Sequence, residues 1–344
     1  MKRRSFLRLA PAAAIVASLP KLALSADSPI GSPAADPDRH QGLTMRIVGA
    51  GTMGLRVTKT LQDDLVASDE CLYGAVLKPN AELGSRLLVV SSEGAALPCD
   101  KRARAIRETD VLVGVCALGS ADRFAVSALE ELAYMADEAG VDSPVAIVAL
   151  PRTDEDYGCR QRSLDQLQEV SKVWPTVIPV DADRLMEQSS GNFTLENPSS
   201  LLERHMATCV ATIRSMMPDA SGNRRDTILV RRTPSIPFSS GRYAFASASG
   251  PEAPEHAPID ALRWCRSQFP RETWTKVSYM HAYTRYGKDH DSLSMWRVFD
   301  ELSRRADAGV HVTMQHHYRP AFGPNVEVRL IAGTVGSHPM QDVL

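Results

Sequence analysis

Gly49-Ala50-Gly51-Thr52-Met53-Gly54 stands between a short apolar run, MRIV, and a stretch with helical spacing. Glycines at that spacing let backbone N–H groups approach a phosphate, and a helix beginning there adds a field that favours negative charge. The same glycines also suit a tight turn and the close packing of a helix on a strand, so phosphate binding and packing both stand open. A dinucleotide enzyme normally holds the ribose with Asp or Glu at the end of its second strand. Here CLYGAVL is followed by Lys78-Pro79-Asn80, without an acid. Lys78 suits a 2′-phosphate, so an exported NADP-dependent oxidoreductase is the alternative reading of this loop.

The remaining reactive residues form weaker patterns. His311 and His317 would share a face of a strand but lie about 20 Å apart at ~3.3 Å per residue, with His316 on the other face. No local metal site follows from them. A nucleophile elbow, GxSxG, is absent, which argues against a Ser/His/Asp hydrolase. Asp154, Glu155 and Asp156 form an acidic turn, and Arg224, Arg225, Arg231 and Arg232 a basic one. The six cysteines (Cys71, Cys99, Cys116, Cys159, Cys209, Cys265) contain no CxxC pair. Cys116 lies in an apolar run, where a thiol behaves as a small hydrophobe. Trp264, Trp274 and Trp296 read as packing residues.

Holding a phosphate loop requires a strand before it and a helix after it, and the chain repeats that unit. MRIVGA reads as a strand, and LRVTKTLQDDLV carries Leu55, Val57, Leu61 and Leu65 at helical spacing. CLYGAVL, RLLVVSS and DVLVGVCAL read as strands, and FAVSALEELAYMADEAG as a helix closed by Gly140. PVAIVALP, RSLDQLQEVSKV and WPTVIPVD continue as strand, helix and strand. Continuous β-branched runs alternating with amphipathic helices imply an α/β fold with a doubly wound parallel sheet. Ligands of such sheets sit at the carboxyl ends of the strands, which is where the glycine loop lies.

Composition bounds the function. Of 344 residues, 44% are hydrophobic and 23% charged, which excludes a disordered chain. Thirty-nine Lys and Arg against 41 Asp and Glu exclude a general nucleic-acid binder, which needs a basic excess. No apolar run reaches the ~18 residues that would span a bilayer, so no transmembrane anchor is expected. The first 44 residues differ from the rest. KRRSFLR, with Arg3 and Arg4 paired, an Ala/Pro/Val stretch and then ALSAD resemble a twin-arginine (Tat) signal over 1–26. That resemblance implies export of a folded protein to the periplasm. Residues 27–44, rich in Pro, Asp, Ser and Gly, read as a linker. Translation from Met45 would instead leave the protein in the cytoplasm.

The order of segments beyond the first loop resembles the FtsZ/tubulin superfamily. DVLVGVCALGS is followed by a helix, by PVAIVALPRTDEDYGCRQRSLDQLQEV, and by VWPTVIPVDADRLM, in which Ile178 to Leu185 match the family's Ile-Pro-Asn-Asp-like segment. The central helix would run from Pro198 to about Met217. The last third then supplies a strand (RYAFASASG), a helix, the strand WTKVSYMHAYTRYG, the helix LSMWRVFDELSRRA and a closing pair of strands ending in Thr-Val-Gly. The resemblance implies a nucleotide domain over 45–196, the central helix over 197–222, and a smaller α+β domain over 223–344.

It also implies a site. The family's phosphate loop corresponds to Ala117–Phe124, where Gly119 and Ser120 keep its character, Asp122 opposes it, and Arg123 stands in for lost backbone donors. Together with Gly49, Gly51, Thr52 and Gly54 these make the expected nucleotide-binding set for GTP or GDP. The loop that a neighbouring subunit would contribute corresponds to Gly222-Asn223-Arg224-Arg225-Asp226, leaving Asp226 as the one catalytic acid. So eroded a set implies little or no GTP hydrolysis. The expected partner is a second copy of the chain, in head-to-tail contact. The sequence stops at Leu344, soon after its last strand, so the docking tail usual in FtsZ is not expected.

Overall fold

The computed structural model describes residues 45–64, 72–80, 84–90, 106, 109–119, 123–154, 157–189, 197–216, 227–228, 241–250, 256–269, 274–307 and 309–334. The first half runs β1 (Met45–Ala50), α1 (Gly51–Asp64), β2 (Leu72–Asn80), β3 (Gly84–Val90), β4 (Val111–Ala117), α2 (Arg123–Ala139), β5 (Ser143–Leu150), α3 (Tyr157–Val173), β6 (Thr176–Asp181) and α4 (Ala182–Ser189). A long helix, α5 (Pro198–Ser215), leads to β7 (Thr227–Ile228), β8 (Gly241–Gly250), α6 (His256–Ser267), β9 (Tyr279–Tyr286), α7 (Ser292–Arg305), β10 (His311–Tyr318) and β11 (Val326–Gly333). The strands stand in the order β3-β2-β1-β4-β5-β6-β8-β11-β9-β10-β7.

Strands β2, β1, β4, β5 and β6 are parallel to one another. The sequences of β1, β4, β5 and β6 are apolar on both faces because both faces are covered. Val111, Val113 and Val115 of β4 pack with α1 and α5, while Leu112 and Cys116 pack with α2 and α3. Gly114, in the same strand, leaves room for Trp174, whose indole N–H donates to the Leu129 carbonyl at 3.0 Å. Helix α2 ends as its sequence predicts: Gly140 takes φ +68°, Val141 N–H bonds to Ala136 O at 3.0 Å, and Gly140 N–H bonds to Asp137 O at 3.1 Å.

Two features depart from the sequence reading. β3 is antiparallel to β2 as a hairpin partner, because the three-residue link between them in sequence is too short for the crossover that parallel strands need. That hairpin also extends β2 through Lys78 and Pro79, in register with Arg86 and Ser85, so Lys78 lies within the strand and not after it. The closing strands β10 and β11 are not neighbours. Both pair with β9, β10 parallel to it and β11 antiparallel.

The second set of strands carries α6 and α7 on one face, around Cys265, Met295, Val298, Leu302, Leu330 and Ala332. It meets the first set at β6 and β8, which pair through Thr176–Gly241 and Val177–Arg242. Helix α5 bridges the junction: Met206, Cys209 and Val210 share a core with Val113 and Ile147 on one side and with Tyr243, Phe245 and Ile331 on the other. Thr60 of α1 donates to Glu203 of α5 at 2.5 Å. Gln188 of α4 and Gln268, after α6, donate at 2.5 Å to the Ser247 and Phe245 carbonyls of β8.

Candidate functional site

The chain leaves β1 towards β2 on one side and β4 towards β5 on the other, so the sheet's strand order reverses between β1 and β4. The helices that follow them cover opposite faces: Val57 and Leu61 of α1 one core, Ala125 and Leu129 of α2 the other. A crevice forms at such a reversal, outside the carboxyl ends of the two strands. Both ends here carry a glycine with positive φ, Gly51 at +71° and Gly119 at +70°.

The three glycines of the first loop divide their labour. A Cβ on Gly49 would lie 2.2 Å from the Gly54 carbonyl oxygen, and one on Gly54 would lie 2.4 Å from that of Val115. Gly49 and Gly54 therefore let the first turn of α1 sit against β1 and β4, a packing role that needs no ligand. Gly51 makes the turn from strand to helix, a conformation that glycine adopts without strain. Thr52 is exposed in the first turn of α1, where no acidic residue stands. First-turn amides have no acceptor within their helix.

At the end of β4, Leu118 is buried and its N–H bonds to Ala149 O at 2.9 Å. Gly119 N–H donates to Oε1 of Gln166 in α3 at 2.6 Å. A Cβ on Gly119 would lie 2.4 Å from the Cys159 carbonyl oxygen. Arg123 is the first residue of α2. Ser120, Asp122, Glu155, Asp156, the Arg224, Arg225, Arg231 and Arg232 patch, the expected catalytic Asp226, and the signal and linker segments lie outside the described residues.

Next to this loop the ends of β5 and β6 hold a polar cluster. Arg160 of α3 donates from Nη1 to Pro151 O at 2.7 Å, and its guanidinium grips Asp181 through Nη2 at 2.5 Å and Nη1 at 3.3 Å. Asp181 also accepts from Asp183 N–H at 3.0 Å, and Asp183 accepts from Thr153 N–H at 3.0 Å and from its hydroxyl. Arg152 pairs with Asp154, so the one described member of the acidic turn is already neutralised. Gln166 and Arg160 are the residues that sequence reasoning missed, while Asp183 lies in the segment Ile178 to Leu185, whose match to the family gives that side chain no role. Arg160 and Gln166 sit on a helix of ordinary polar composition, and only the fold brings them to strand ends far away in sequence.

The other candidates resolve into structure. His311 lies against the Tyr279 ring and His316 against that of Tyr286, with centroids 6.1 Å and 5.8 Å apart. Among the described residues no three His, Cys, Asp or Glu side chains group as metal ligands would. Cys116, Cys209 and Cys265 are buried, and burial pushes the Cys265 thiol up to about 12. Trp274 is buried as expected. Trp296 is not: it is 45% exposed, because α7 buries the stripe Met295, Val298 and Leu302, and Trp296 follows Met295 to the outer side.

No protein-family model and no curated protein matches the sequence. Solved structures do match. An empty FtsZ dimer from M. jannaschii superposes with a TM-score of 0.63 at 13% identity, over 87% of this chain and 90% of that one. The chain has the FtsZ/tubulin fold. TubZ of Bacillus thuringiensis serovar israelensis, in a GTPγS-form protofilament, gives 0.56 at 11% identity over 86% and 89%. A GTPγS-bound protofilament of CetZ2 from Haloferax volcanii gives 0.55 at 16% identity over 86% and 94%. Within this fold the parallel sheet, the bridging α5 and the second sheet stand in the order expected from sequence. No described helix is long and apolar enough to cross a membrane.

Proposed function

We propose that this chain is a self-associating protein of the FtsZ/tubulin type, with residual binding of GTP or GDP and little or no hydrolysis. The carrying observation is the pair of positive-φ glycine turns, Gly51 and Gly119, at the strand-order reversal between β1 and β4. A diphosphate fits the first of them: Gly51, Thr52 and Gly54 form a helix start without a carboxylate to repel it. The second is less available, since the Gly119 amide is engaged by Gln166. The nucleotide would supply negative charge to a helix start that carries no acidic residue of its own, and Gly119, Ser120 and Arg123 would hold its phosphates less firmly than the first loop.

Self-association is supported by the dimeric or protofilament state of the FtsZ, TubZ and CetZ2 structures that share the fold. In this reading the loop that includes Asp226 meets the nucleotide face of the next copy, and such heterologous contacts propagate unless they close into a ring. Concentration-dependent light scattering, with and without GTP, tests the reading. Scattering that rises above a threshold concentration supports it, and a monomer under both conditions overturns it. Residues 1–26 extend the proposal to export in the folded state, for which the mass of the mature N-terminus is the test. A start at residue 26 or 27 supports export, and one at Met1 or Met45 refutes it.

A further inference from the structure

The acceptor at Gly119 comes from within the chain, and that contact has the form of a lock. Gly119 sits on the loop after a central parallel strand, with its N–H directed to Gln166 Oε1 2.6 Å away. Gly119 is also pressed by the start of α3, since the space a side chain would need there is taken by the Cys159 carbonyl and, at 3.0 Å, by Ser163. Helix α3 is itself pinned: Arg160 ties it to Pro151 O at the end of β5 and to Asp181 at the end of β6. The half-buried Gln166 side chain is therefore the movable member of the contact. One N–H serves one strong acceptor at ordinary hydrogen-bond geometry. A phosphate oxygen bonded to the Gly119 nitrogen would need the volume that Oε1 occupies.

We propose that Gln166 is an autoinhibitory side chain, an internal substitute for a phosphate oxygen that occupies the Gly119 amide and sets the affinity for nucleoside di- and triphosphates low. This rests on the nucleotide reading above and adds to it the residue that competes for the Gly119 amide. Binding requires Gln166 to turn away, so removing its acceptor strengthens binding. A carboxylate at the same place weakens binding, because it keeps the acceptor and adds a like charge.

The test is a titration of the full chain and its Q166A and Q166E variants with a fluorescent GDP analogue and with GTPγS, together with hydrogen exchange of the Gly119 amide. Q166A is expected to bind both nucleotides about tenfold more tightly, which is 1.4 kcal/mol, and Q166E more weakly than the unmodified chain. Exchange at Gly119 is expected to quicken in Q166A and to slow again when nucleotide is added. Equal affinities for the unmodified chain and Q166A, with both binding, would overturn the lock and leave the nucleotide site standing. Failure of both to bind, with thermal melts showing folded protein, would overturn the nucleotide reading and the lock with it. Should Q166A not fold, Q166N withdraws the acceptor by one methylene and is read by the same criteria.

Discussion

Gly49 and Gly140 separate two uses of the same residue. Gly140 is needed for its backbone angle: φ is +68° but nothing lies within 4 Å of the space a side chain would fill. Gly49 is needed for its missing side chain, with backbone atoms 2.2 Å and 2.4 Å from that space. Gly140→Ala is therefore expected to cost about 1 kcal/mol, and Gly49→Ala about 3 kcal/mol or more because no flexible group can yield. Urea denaturation of the two variants checks the difference. Two histidines make the stability depend on pH. Burial lowers His205 to about 4, against a backbone hydrogen bond at Phe245 that opposes the shift, and lowers His281 to about 3. Both stay neutral in the folded state while the unfolded chain takes up protons near pH 6.5. Stability is thus full above that pH and falls as pH drops towards each folded value, by about 1.4 kcal/mol per unit and histidine. His205→Gln is expected to reduce the slope between about pH 6 and 5 by that amount, measured as denaturation free energy at a series of pH values.

At the scale of elements, α5 has the most to hold together. Its start is fixed by Asn197, whose side chain accepts from Ser199 N–H at 3.0 Å, with Pro198 in the first turn. Asn197→Ala is expected to lower stability by about 1 kcal/mol, read as a lower Tm, and to leave the glycine turns at β1 and β4 unchanged. The existence of α5 and of most strands was legible in the sequence because burial on one stripe or two faces writes a local pattern. The antiparallel hairpin of β2 and β3 was less so, since RLLVVSS reads the same in either direction and only the short link betrays it. The place of β11 between β8 and β9 has no local signature at all. The first loop was legible through its glycines. Gln166 and Arg160 were not, because each reaches across to another element, and no spacing along the chain reports such a contact.

At the scale of the whole molecule, the described seam between the two sets of strands is narrower than the ladder beside it. Among the described residues β8 meets β11 over eight residue pairs, from Val326–Gly250 to Gly333–Tyr243, but meets β6 over two. The shared core around α5 packs side chains across that narrow seam. Under mechanical load the seam is accordingly the compliant line. Force applied between handles at the exposed Leu55 of α1 and Leu293 of α7 is expected to part β6 from β8 first, and to disrupt the eight-pair ladder only in a second, higher event. An optical-trap record with a single event would contradict this. In a row of such molecules, elastic strain would gather inside each subunit at this seam, so bending of the row would be absorbed within its units as well as between them.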